Sequence, residues 1–216
     1  MRIPALIAAA LLVTVMPAVA SAQEDGDTQV QRSAAWTKAQ ALIEGTGAPE
    51  LFENQSTPTR MVIRHKASGL RCDYSPDEQN NNLMLFPGLP QGDDVGCNAD
   101  AGNIYMTYYA TRYGPDVSLQ DAASDTAAGI RNRFSDARAY EGPVVQVEAP
   151  AGVGEQVYLA YVVGPQGRTL HAQARLAKVG DWIFKQRMST PEDMAMGAEL
   201  MLSVGRWTDV LQAAVD

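Results

Sequence analysis

The chain has 216 residues, 46% hydrophobic and 19% charged, with 17 lysines and arginines against 25 aspartates and glutamates, two histidines and two cysteines. A formal charge of −8 makes nucleic acid and anionic membrane surfaces poor partners. No glycine-rich phosphate loop, dinucleotide fingerprint or G-x-S-x-G elbow occurs, and no local pair of residues has the spacing of zinc ligands.

At the start, Met1 and Arg2 precede an apolar run from Ile3 to Val19 that ends in small residues, the pattern of a secretory signal. Two small-x-small sites overlap, Ala18-Val19-Ala20 and Ala20-Ser21-Ala22, and the acidic "QEDGD" that follows favours cleavage after Ala22. Pro4 and Pro17 interrupt the run, which is short for a span of about 20 residues, so no stable membrane insertion is expected once the signal is removed. Residues 1–22 are expected to be lost, 23–27 to form a flexible linker and 28–216 to form one domain, periplasmic or secreted. Losing Arg2 with the first 22 residues leaves 16 basic against 25 acidic side chains, a net −9. In an oxidising compartment two cysteines are read more economically as one bridge, Cys72–Cys97, than as two free thiols. Closing a loop of about 25 residues stabilises by about 3–4 kcal/mol in the chain-entropy picture.

From Thr28 to Glu44, apolar Val30, Ala34, Trp36, Ala41 and Leu42 recur with Gly45 just beyond, which predicts a peripheral helix ending at a glycine cap. Short strands are predicted at Leu51–Asn54, Arg60–Lys66 and Leu70–Tyr74, the last two joined through "ASG" as a hairpin. The acidic, asparagine-rich "DYSPDEQNNN" breaks the pattern, "LMLF" resumes it, and a glycine-proline loop carrying "LPQGDDVGC" follows. From Asn103 to Arg112, Ile104, Met106, Tyr108 and Ala110 alternate with Tyr105, Thr107, Tyr109 and Thr111, a strand with one side fully buried.

A second helix is predicted from Leu119 to Phe134, with Ser118 as N-cap and Asp121 in its first turn. Strands are then predicted at Val144–Glu148, Glu155–Val163, Arg168–Lys178 and Trp182–Met188. In the third of these, Leu170, Ala172, Ala174 and Leu176 alternate with Thr169, His171, Gln173 and Arg175, giving a dry face and a wetter one. "STPED" reads as a helix start with Thr190 as N-cap and Pro191 in the first turn, running to about Ala214, with close packing expected at Gly197 and Gly205. This order implies an α+β fold, an antiparallel sheet covered by helices, with a peripheral N-terminal helix.

The combination of "HKASGLRC" with "GDDVGC" resembles an uncharacterised family of exported proteobacterial proteins over the region from Arg60 to Arg112, and that resemblance implies no activity. The element order is also similar to the PsbP-like sandwich, a fold of small non-enzymatic accessory proteins. This is a likeness of shape, without a shared residue motif.

Asp93 and Asp94 are neighbours in an extended loop and point apart, so they are not expected to share a proton, and no catalytic residue is assigned. Two readings stay open. Asp93, Asp94, Asn98 and Asp100 with backbone carbonyls offer oxygen ligands for calcium. The preferred reading is a solvated turn in which Gly92 and Gly96 take unusual backbone angles. No other cofactor or metal is expected. His65 continues the face of Met61 and Ile63 near the core, and His171 lies on the wetter face. Tyr105, Tyr109 and Tyr113 line one side of a strand if it continues to Tyr113, a surface apolar in body and polar at the tip that suits protein or glycan contact. Their plain reading is as residues of a half-exposed sheet under a covering helix. The expected function is a non-catalytic exported domain that binds another envelope protein or glycan. The alternative is a small periplasmic hydrolase with a carboxylate site, Asp73 or Asp77 being brought to Asp93 and Asp94 through the disulfide.

Overall fold

Local signals place most elements in the computed structural model, which describes residues 33–75, 80–101, 104–145, 148–164, 169–191 and 204–216, with Met194 and Gly197. The expected signal, the linker and the first residues of the predicted N-terminal helix lie outside the described residues. The Ser33 hydroxyl accepts the Trp36 N–H and starts helix α1, Ala34–Gly45. Its buried stripe is Ala35, Ala39 and Ile43, spaced by four, whereas the expected Ala34 and Ala41 are exposed.

A 3-10 turn, Pro49–Leu51, leads into strands β1 (Phe52–Asn54), β2 (Met61–His65) and β3 (Arg71–Tyr74). They form an antiparallel sheet in the order β1-β2-β3, with β2 and β3 as the predicted hairpin. The larger sheet contains β4 (Asn82–Leu85), β5 (Asp94–Ala101), β6 (Ile104–Arg112), β7 (Arg138–Ala139), β8 (Gln156–Val163), β9 (Leu170–Val179) and β10 (Trp182–Pro191). Its order is β4-β5-β6-β10-β9-β8-β7, antiparallel throughout. Helix α2 (Leu119–Arg133) begins with the expected Ser118 cap, completed as a capping box by Asp121, and α3 (Val204–Val215) ends the chain. The protein is therefore α+β, with antiparallel sheets and an N-terminal helix.

Three expectations about elements are corrected. The "GDDVGC" segment is not a loop beyond Asp93: Asp94 to Ala101 forms β5, held between β4 and β6. Residues 144, 145 and 148 carry no strand, and the two-residue β7 takes the sheet edge instead. Thr190 does not cap a helix, because β10 continues to Pro191 by pairing Thr190 with His171 and Pro191 with Leu170. Proline is tolerated at such a strand end. Gly197 and Gly205 are exposed, and an added Cβ at either meets nothing, so close packing does not explain them.

Alternation gives the large sheet two faces. On the first, Met106, Tyr108, Phe184 and Met188 share a core with Ile63 and Tyr74 of the small sheet, Leu70 of its hairpin turn, and Trp207 and Leu211 of α3. His171, Gln173 and Arg175 project to this same face, and they are 1%, 3% and 5% exposed. The expected wet side of β9 is thus buried, because Tyr140 and Val145, between α2 and β8, lie over it. The Tyr140 ring stands 4.4 Å from that of His171, and Arg175 donates to the Val145 carbonyl at 3.1 Å. Tyr158 completes the polar patch by donating to Gln173 Oε1 at 3.1 Å and by lying under the Arg175 guanidinium, 4.6 Å away.

On the second face, Leu119, Ala122 and Ala123 of α2 pack on Ala174, Leu176 and Ile183. Ile130, further along α2, meets Val163 and Ala172. The helix therefore lies on the β8–β9 side of this face. Tyr105, Tyr109, Lys185 and Arg187 occupy the β6–β10 side.

Candidate functional site

The segments "HKASGLRC" and "GDDVGC" come together as a joint between the sheets. Cys72 and Cys97 are bonded, with an S–S distance of 2.05 Å and Cα atoms 6.1 Å apart, linking β3 to β5 inside the main core. His65, 1% exposed, sits in that core as expected. Burial and the charge of Arg112 hold its pKa down to about 4. Ser68 lies at the hairpin turn, where its hydroxyl also accepts the Leu70 N–H at 3.1 Å. Gly92 has φ +93° and faces Leu51 and His65, so it fits the expected role of a glycine turn. Gly96 is needed for space rather than angle: a Cβ there would lie 2.9 Å from the Tyr108 carbonyl oxygen and 3.1 Å from the Phe86 and Tyr109 rings.

The acid pair divides between environments. Asp93 forms an ion pair with Arg112 at 3.4 Å, and that guanidinium stands 4.6 Å from the centre of the Trp182 ring. Asp94, already in β5, accepts the Thr111 hydroxyl at 2.8 Å, while burial raises the pKa of its carboxyl. Asn98 is buried and its amide donates to the Asn80 carbonyl at 2.9 Å. Asp100 lies opposite Tyr105 on β5, and its side chain is outside the described residues. Asp73 is held by Arg60 and, at 3.7 Å, by Arg71. Asp77 is outside the described residues. Among the described residues no three His, Cys, Asp or Glu side chains are grouped to hold a metal ion.

The tyrosines do not make one strip. Tyr105 is 49% exposed. Tyr109 is half-buried between the Phe86 ring, 5.7 Å away, and Lys185 Nζ, 4.6 Å from its centre. Strand β6 ends at Arg112, so Tyr113 leaves the line and packs against the Leu119 cluster at the start of α2, where burial raises the pKa of its hydroxyl.

Two grooves on this face lie among residues that the sequence pattern did not single out, Tyr113 apart. Between α2 and β10 lies a groove of about 250 Å³ lined by Tyr113, Asp125, Thr126, Arg133, Lys185 and Arg187. A second, of about 270 Å³, lies on the other side of Tyr113 and carries Arg112, Lys178 and Asp181. Lys185 and Arg187 alternate on β10 and so point to the same side. Burial, then the neighbouring Arg187 charge, lowers the pKa of Lys185. Among the described residues neither cation has a carboxylate at ion-pair distance. The available signal was "FKQRM", two cations at alternate positions of a strand that begins with the apolar "WIF".

Neither a protein-family model nor a curated protein sequence matches this chain significantly. The solved structures to which it is similar include a protein of unknown function from Pseudomonas aeruginosa, at 11% identity, covering 71% of this chain and 94% of that one with a TM-score of 0.38. The cyanobacterial PsbP of Synechocystis is 13% identical over 75% of this chain and 94% of its own, with a TM-score of 0.47. LpqN, involved in cell envelope biogenesis of Mycobacterium tuberculosis, is 10% identical over 64% and 84%, with a TM-score of 0.29. No activity is carried across from any of the three.

Proposed function

We propose that this chain is an exported, non-catalytic domain that binds another component of the cell envelope through the sheet face beside α2. The observation that carries this reading is the groove between α2 and β10, where Lys185 and Arg187 stand without a carboxylate partner among the described residues. Exposed Tyr105 and half-buried Tyr109 extend the same face with apolar surface. The apolar run at the N-terminus and the Cys72–Cys97 bridge support export. The separate partners of Asp73, Asp93 and Asp94 support a binding role over a carboxylate dyad.

A photoreactive side chain placed at Tyr105 in cells tests it, with exposed Lys38 on α1 as the control position. The expected result is an adduct at position 105 that is absent at 38 and disappears when Lys185→Glu and Arg187→Glu are introduced together. Equal adducts at both positions, or none at 105, would overturn the reading.

A further inference from the structure

Among the described residues the charges lining the groove do not balance. Lys185, Arg187 and Arg133 contribute three positive charges and Asp125 one negative, a local excess of two in a chain whose overall charge is −8. Two neighbouring cations that share one side of a strand repel each other, and their partial burial removes some of the water that would otherwise screen them. Asp94 and Asp125 act on Lys185 only at a distance, since no ion pair joins either to it. Arg133 enters from the last turn of α2, its guanidinium 5.3 Å from the Phe134 ring and free of any carboxylate at ion-pair distance among the described residues. Planar guanidinium groups present paired donors that match carboxylate and phosphate oxygens. A volume of about 250 Å³ suits a small oxyanion group better than a drug-sized molecule.

We propose that the groove between α2 and β10 is a binding site for a doubly charged oxyanion, a dicarboxylate or a phosphate group, gripped by Lys185, Arg187 and Arg133. This rests on the docking face proposed above and names the chemistry its ligand presents there. The two probes are succinate and inorganic phosphate, titrated into the mature protein at fixed ionic strength with chloride as the balancing salt and followed by calorimetry and melting. Saturable binding of at least one probe is expected, and the preferred one separates a carboxylate source from a phosphate source. Arg187→Gln should weaken that binding by about tenfold or more, the loss of a charge-assisted pair. Lys185→Met should remove the anion-dependent rise in melting temperature while leaving the anion-free protein at least as stable.

A second pair of variants leaves the cations in place. Gly129 lies on α2 at the groove, and an added Cβ there meets nothing within 4 Å. Gly129→Glu and Gly129→Gln gain similar helix propensity, but only the glutamate tethers a carboxylate beside the cations. It should melt higher than the glutamine variant at low salt and bind the free anion more weakly. Absence of saturable binding by both probes, or equal binding by wild type and Arg187→Gln, overturns the site. If the anion fails to bind while the Tyr105 adduct persists, the docking face stands without this ligand chemistry. If the anion binds and no adduct forms, the site stands and the docking face falls.

Discussion

Ser68 Oγ lies 2.8 Å from His65 Nδ1, and the Ser68 backbone N–H donates to the same nitrogen at 3.3 Å, so the imidazole is held neutral with its hydrogen on Nε2. That second nitrogen has no partner among the described residues, and the ring packs between Phe52 and Trp182. Its folded pKa of about 4 lies below the unfolded value near 6.5. Between these values the unfolded chain binds a proton that the native state refuses. Its contribution to stability is therefore complete above about pH 6.5 and is lost as pH falls toward 4, by on the order of 3 kcal/mol. Urea unfolding at pH 7, 6, 5 and 4.5 should show this slope, and His65→Phe should flatten it. Parallel slopes for the two proteins would contradict the assignment.

The disulfide joins the sheets across a separation of 25 residues. Replacing both Cys72 and Cys97 by alanine should cost about 3 kcal/mol, from the freedom returned to the unfolded chain. Reductant should lower the urea midpoint of the wild-type protein and leave that of the double variant unchanged. A wild-type midpoint insensitive to full reduction would show that packing alone holds β3 to β5.

Gly69 ties the hairpin turn to the C-terminal helix. It has φ +75°, and a Cβ there would sit 2.8 Å from the Ala213 carbonyl oxygen and 2.9 Å from the Ala214 Cα. Gly69→Ala therefore combines left-handed backbone strain with a clash against backbone that cannot swing aside, and should cost about 2–4 kcal/mol. Amide exchange in α3 should accelerate more than in α2. Uniform acceleration of both helices would argue against a local joint.

Tyr105 and Tyr109 should separate cleanly. Tyr105→Ser removes a ring that is half in solvent and should shift stability by no more than about 0.5 kcal/mol. Tyr109→Ser removes the contacts to Phe86 and Lys185 and should cost about 1–2 kcal/mol. Thermal melts of the two variants check this ordering. Equal losses would place Tyr105 in the core.

The features legible in advance were those whose cause is local. Ser118 with Asp121 makes its capping box within four consecutive residues, and the helix it starts follows. Two cysteines in an export context left one economical pairing, and the hairpin of β2 and β3 announced itself through "ASG" between alternating runs. The strand β5 was hidden because glycine and aspartate disfavour strands on their own, and the segment is extended only because β4 and β6 bond to both its edges.

Alternation along β9 told that His171 shares a side with Gln173 and Arg175, and the same rule, not applied to β10 in advance, places Lys185 with Arg187. It could not tell what lies above each side, since that depends on segments distant in the chain. Tyr140 and Val145 bury the first set, whereas α2 stops short of the second and leaves a groove where, among the described residues, cations outnumber carboxylates. Composition and short-range pattern thus determined most of the elements, the pairing of the cysteines and the expected route of export. Which polar residues are enclosed and which are presented was decided by long-range packing, because burial is a property of the assembled layers and of no single strand.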